Sequence, residues 1–217
     1  MRIIPQTTKD FGYLMIFDLY SEEELKVIWN EILNLDYIMD RMELGFLEEE
    51  KKEVNNLRGK HDDGLSKMSG EGLTLDKIYA NRDYSPILTY NRKLFVDEYI
   101  VNKITEAHPS NKLYRSVNTD MTIVNRYSNS HQYDSHRDMA AFTGITVLLH
   151  KPEKIRGGDF TLPDYDITFE AKNNSCIIFP SWVNHCASSL ESDGGRRYSI
   201  AQLMYVTPLD PGQLERN

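Results

Sequence analysis

Cysteine is nearly absent from this chain: Cys176 and Cys186 are the only two in 217 residues. Two thiols cannot build the disulfide framework that staples small secreted domains, so the core must hold the fold. Long apolar runs are missing as well. None approaches the roughly 20 residues needed to span a bilayer, and the opening MRIIPQTTKDFG has no signal-peptide core. The expectation is a cytoplasmic protein with no membrane partner. Positive charge is in deficit, with 25 Lys and Arg against 33 Asp and Glu and a net charge of -8. General nucleic-acid binders usually present a basic face, so nucleic acid is disfavoured as a partner. Internal repeats, low-complexity tracts and Walker, Rossmann or nucleophile-elbow patterns are all lacking.

What is present describes an ordinary globular protein, 40% hydrophobic and 27% charged. The length suits one domain with a full-sized core. Residues 13–17 are a short apolar strand candidate. Ser21 and Glu24 have capping-box spacing, the hydroxyl accepting from a helix-start amide while the carboxylate reaches back. Leu25, Ile28, Trp29 and Ile32 follow at helical spacing, so Trp29 reads as core rather than as a ligand platform. Residues 48–63 are dense in charge and read as a solvated helix or loop. Gly59, Gly64, Gly70 and Gly72 break any long helix through 59–84. That segment is either a surface connection or a lid whose Tyr79, Arg82 and Tyr84 touch substrate. Ser85 and Pro86 open a mostly helical stretch to about residue 107, which Pro109 ends.

Beyond Asn111 the texture changes to short strands separated by turn signals. The candidates are 121–127, 132–138, 143–150, 159–162, 167–171, 176–179, 184–188 and 197–206, about eight in all. Helices first and dense strands after point to an α+β protein, a jelly roll or β-sandwich with helices packed on one sheet. The expected division is one domain over 1–217, with helical support and the candidate lid in 1–110, the β core in 111–208 and a tail in 209–217. On the last strand Arg197, Ser199 and Ala201 would face inward. Tyr198, Ile200, Leu203 and Met204 would supply apolar contacts around the wall, and Arg196 would point out into solvent.

Within the β run stands His136-Arg137-Asp138. Alternate side chains of a strand share a face, so His136 and Asp138 can close on one ion. Two imidazoles and one carboxylate on one side of a metal, with its other positions open, are the ligand set of non-haem Fe(II) oxygenases. His185 is the candidate second imidazole. Cys186 adjoins it, and alternation turns that thiol away, which disfavours a His/Cys zinc site. His131 reads as a turn residue, His150 as structural, and His61 and His108 as surface.

Residues 121–206 resemble the prolyl 4-hydroxylase-type 2-oxoglutarate/Fe(II) dioxygenases. The resemblance rests on Tyr127 through Tyr133 to His136-X-Asp138, then 146–149, then Gly157-Gly158-Asp159-Phe160. Phe179-Pro180-Ser181 with His185 after it, and Arg197-Tyr198-Ser199-Ile200, complete the family's order. The N-terminal half matches only as a strand followed by a capped helix. Three departures stand out. His150 occupies a position where the family often has Asn, and Ser189-Leu190 replaces a frequent Pro-Val. Arg197 stands where many prolyl hydroxylases have Lys, a little further from His185.

The resemblance implies a double-stranded β-helix (jelly-roll, cupin-like) core in which His136, Asp138 and His185 hold Fe(II). It implies 2-oxoglutarate as cosubstrate, its far carboxylate on Arg197, with a hydrogen bond from Ser199 and with Tyr127 nearby. A guanidinium matches the two carboxylate oxygens with a planar fork. The implied activity consumes O2, releases succinate and CO2, hydroxylates a prolyl or other residue of a peptide or protein, and uses ascorbate as reductant. Two alternatives are a nucleic-acid demethylase of the same superfamily and a non-catalytic cupin-like metal-binding module. The acidic balance opposes the first, and the complete metal and Arg197 positions oppose the second.

Overall fold

The computed structural model describes residues 1–43 and 68–207, with the backbone alone at 41–43. The chain opens with a hairpin of β1 (Arg2–Thr7) and β2 (Gly12–Phe17). Helix α1 (Glu22–Glu43) starts on the expected capping box. The Ser21 amide donates to the Glu24 carboxylate at 2.9 Å, and the Glu24 amide donates to Ser21 Oγ at 3.2 Å. Next come β3 (Glu71–Thr74) and the short α2 (Leu75–Ile78). The helical stretch after Ser85 is broken into α3 (Pro86–Asn91), α4 (Lys93–Val96) and α5 (Glu98–Ala107). Ser85 and Asp97 cap the first and last of these, accepting from the Leu88 amide at 3.0 Å and the Tyr99 amide at 2.8 Å. A 3-10 turn, Pro109–Ser116, leads to β4 (Thr119–Tyr127).

The remaining strands are β5 (Tyr133–His136), β6 (Phe142–His150), β7 (Ile155–Gly157), β8 (Phe160–Leu162) and β9 (Ile167–Phe169). They are followed by β10 (Ser175–Pro180), β11 (His185–Ala187), β12 (Leu190–Ser192) and β13 (Arg196–Tyr205). A seven-stranded sheet runs β1-β2-β10-β6-β13-β4-β3, facing a four-stranded sheet β5-β11-β8-β9, with β12 and β7 paired beside them. Alternation on the large sheet separates two cores. One face sends Ile16, Leu148, Ile178, Tyr198, Ile200 and Met204 against α1 and the other helices. The other sends Ile123, Ile145, Ile177, Phe179, Ala201 and Leu203 against Phe160 and Leu162 of the small sheet. This is the expected α+β arrangement, a jelly-roll core with helices on one sheet.

Several expectations are corrected. Strands β1, β3, β7 and β12 fall outside the expected set, because β1 and β3 are sheet edges and the other two are a short isolated pair. The β3 segment lies within 59–84 and is buried along its length, so that part is a sheet edge rather than a lid. Tyr79 packs on the helix-side core, and Arg82 pairs with Asp120 on that same outer face, away from the interior between the sheets. The rest of the candidate lid, 59–67, and the charged stretch 48–63 lie outside the described residues. Arg196 points away from the interior as expected but is only partly in solvent. The helix covers that face of β13, and the guanidinium pairs with Asp36 of α1.

Candidate functional site

His136 ends β5 and His185 begins β11, and the two residues are direct partners in the antiparallel register. Pairing brings their rings to 4.2 Å between centroids, both buried. Asp138 arrives differently from the expectation. The strand stops at His136 rather than running to 138, and the Asp138 amide instead donates to the Ser181 carbonyl at 3.0 Å. That contact turns the carboxylate between the rings, 3.8 Å from His136 Nε2 and 3.5 Å from His185 Nε2. One ligand atom from each residue lies within 4.8 Å of the others.

The surroundings set the chemistry of these donors. His136 Nδ1 lies 2.8 Å from the Asp134 carbonyl oxygen, and His185 Nδ1 lies 3.0 Å from that of Val183. A carbonyl can only accept, so each Nδ1 carries the proton and each Nε2 the lone pair aimed at the shared space. Thr143 Oγ1 donates to Asp138 Oδ2 at 2.7 Å and meets Ser181 Oγ at the same distance. The Tyr133 ring stacks on His136 at 3.9 Å, and Phe179 and Phe160 lie 5.0 and 5.4 Å from His185. Two neutral imidazoles and a carboxylate converging from one side fit a divalent first-row metal with open positions.

Arg197 sits on β13 opposite Tyr127 of β4, on the interior face with Ala201 and Leu203. It is 1% exposed, its guanidinium carbon lies 4.9 Å from the Tyr127 ring centroid, and its Nε has no hydrogen-bond partner among the described residues. Burial pushes its pKa down, opposed by Tyr127 and Asp159. Among the described residues no carboxylate is in ion-pair contact with it, and a buried cation so placed is costly, so the pocket is suited to an incoming anion. Gly158 makes room for this side chain. Its φ is +68°, and an added Cβ would fall 2.6 Å from Leu190 Cδ1 and 3.2 Å from Arg197 Cδ. Ser199 is buried two residues on, and Asn125 Nδ2 donates to its hydroxyl at 3.5 Å. Burial raises the Tyr127 phenol, with Arg197 and Ser199 acting the other way.

All six candidate residues thus occupy the interior between the sheets. The supporting Thr143 and the Asp134 and Val183 carbonyls carry no sequence signal, whereas Ser181 stands inside the quoted Phe-Pro-Ser motif. Among the other histidines, His131 accepts from the Ser128 amide at 3.1 Å within its turn, and His150 packs 6.3 Å from the Trp29 ring. His108 accepts from the Ser110 amide, while His61 lies outside the described residues.

No protein-family model and no curated protein matches the sequence. Solved structures do. A viral collagen prolyl hydroxylase from Paramecium Bursaria Chlorella virus-1, as its 2OG complex, is similar with a TM-score of 0.53 at 13% identity, over 89% of this chain and 96% of that one. A prolyl-4-hydroxylase from Pseudomonas putida is similar with a TM-score of 0.54 at 11% identity, over 91% and 94% respectively. At such identities these likenesses establish a shared fold.

Proposed function

We propose that this chain is an Fe(II)- and 2-oxoglutarate-dependent dioxygenase that hydroxylates a C–H bond, most naturally of a prolyl or other residue in a peptide or protein. One observation carries the reading: a His-Asp-His donor set and a buried guanidinium share one interior. The prolyl hydroxylase fold, met in structures that cover nearly all of this chain, supports the same reaction class. His136, Asp138 and His185 would hold the metal. Bound there, Fe(II) would supply the redox chemistry that takes R–H, O2 and 2-oxoglutarate to R–OH, succinate and CO2. Arg197 would bind the far carboxylate of 2-oxoglutarate through its planar fork, with Ser199 donating a hydrogen bond and Tyr127 packed beneath the guanidinium. Thr143 and Ser181 fix the Asp138 carboxylate, and the Asp134 and Val183 carbonyls fix both imidazole tautomers. Phe160 and Phe179 help exclude water around His185. Ascorbate would serve as reductant for turnovers without substrate.

The test is succinate release from 2-oxoglutarate with Fe(II) and ascorbate, run across peptides containing proline, lysine and asparagine. A mass gain of one oxygen identifies the product. His136→Ala should abolish both signals; iron-dependent succinate release retained by that variant would remove the assignment.

A further inference from the structure

Two large apolar side chains stand in water beside the donor set. Met139, next to Asp138, is 93% exposed, and Trp182, next to Ser181, is 49% exposed. The Ser181 carbonyl accepts from the Asp138 amide, so both belong to one rim. Scattered apolar residues are normal on a protein surface, but two that flank residues of the donor set and its support are candidates for a contact surface. Trp182 is held in place. Its ring lies 5.6 Å from buried Phe11 at 82°, and Phe11 meets Tyr165 at 4.9 Å and 86°.

Charged groups lie on the residues that pack around or adjoin this indole. Tyr165 donates its hydroxyl to Asp10 at 3.0 Å, and Asp164, its chain neighbour, accepts from Asn184 at 3.4 Å. Arg137 lies 3.8 Å from Asp164, both well exposed, a contact that contributes little and is readily displaced. Among the contacts of the described residues, the rim sets Asp10, Asp164 and an aromatic face against the loosely held Arg137 guanidinium, with Lys9 the chain neighbour of Asp10. Carboxylates and indole faces both attract cations.

We propose that this rim docks a cationic peptide segment, with Trp182 and Asp164 as specificity-determining residues for a Lys or Arg side chain near the residue that is oxidised. The inference rests on the oxygenase reading only in taking the peptide as substrate. The net charge of -8 adds a long-range pull on a basic partner.

The probes are three synthetic ten-residue peptides alternating proline with lysine, alanine or glutamate. In a Trp29→Phe background Trp182 is the sole indole, since the chain has two tryptophans. The lysine peptide should change Trp182 emission and bind roughly tenfold or more tighter than the alanine peptide, with added salt weakening it. By calorimetry, Trp182→Ala and Asp164→Asn should each lose about tenfold in affinity for it, with Trp182→Phe recovering part. Arg137→Ala should tighten binding by removing the competing cation. Equal binding of the three peptides, or no loss in Trp182→Ala and Asp164→Asn, would overturn the proposal. The two readings fail separately. Charge-selective binding without iron-dependent oxygen transfer to any peptide removes the oxygenase and leaves the rim. Oxygen transfer that ignores peptide charge removes the rim and leaves the oxygenase.

Discussion

Thr143 shows how a single hydroxyl can set the orientation of the carboxylate proposed to bind metal. It donates to Asp138 Oδ2 at 2.7 Å, fixing which lone pairs point between the imidazoles. Thr143→Val keeps the shape of the side chain and removes that donor. Outer partners of metal ligands are typically worth about 10–100-fold in metal affinity, so Fe(II) titration of this variant should show a loss in that range. Unaltered affinity would mean that Ser181 and the backbone suffice. At Arg197 the argument concerns charge rather than orientation. Replacing it with Ala removes the cation at that point of the interior, and hydrogen bonds to charged groups are worth about 1.5–3 kcal/mol each. The apparent KM for 2-oxoglutarate should rise roughly a hundredfold or more, with Arg197→Lys in between. A KM within twofold of the parent would place the cosubstrate elsewhere. The grouping of His136, Asp138 and His185 and the burial of Arg197 are legible in the sequence because residues of these types stand in the order of the family it resembles. Thr143 is not, since a threonine at the start of an apolar strand is ordinary and its role depends on a fold contact.

Helix α1 is fastened to the large sheet by charge as well as by apolar packing. Asp36 Oδ1 accepts from Arg126 Nη1 at 2.9 Å and from the Tyr198 hydroxyl at 2.9 Å, while Oδ2 accepts from Arg196. Arg126 also pairs with Asp40 and, through Nε at 3.1 Å, with Glu71 of β3. Burial works against the Arg126 charge, yet the three carboxylates outweigh it and hold its pKa above the usual range. Asp36→Ala would deprive two guanidiniums and a phenol of one shared acceptor. Breaking a buried pair in this way costs about 3 kcal/mol or more, which in a chain of this size is roughly 6–12 °C in Tm. Calorimetry checks it, and a shift under about 2 °C would mean that Asp40 and Glu71 take over. At this scale the sequence is legible where periodicity is strong, as in α1 with its capping box and in the buried β6, β10 and β13. It is silent at the sheet edges, where β1 alternates poorly and β3 hides in a glycine-rich stretch. It also misplaces the end of β5, because the Ser181 carbonyl that draws Asp138 off the strand belongs to a distant segment.

For the molecule as a whole, one of the two cysteines reports on the layer between the large sheet and the helices. Cys176 is 4% exposed on the helix-facing side of β10, within the larger core, whereas Cys186 is half-buried on the small sheet. Burial pushes the Cys176 thiol up to about 12. An unfolded thiol ionises near about 8.5. The folded value is thus the higher one, so the stabilisation is complete below the unfolded value and is lost as pH rises from there towards the folded one. Each pH unit in that window releases about 1.4 kcal/mol, or about 2 kcal/mol between pH 8.5 and pH 10. Buried phenols such as Tyr20 and Tyr114, both raised by burial, add the same slope only once unfolded tyrosine begins to ionise, near about pH 10. Denaturant unfolding at pH 8 and pH 10 should therefore show a fall that is larger in the parent than in Cys176→Ala by about 2 kcal/mol, whatever that variant's absolute stability, because the raised phenols contribute equally to both. The same slope in both would mean that the helices leave Cys176 open to water, and that the layer covering the outer face of the large sheet is looser than its packing indicates.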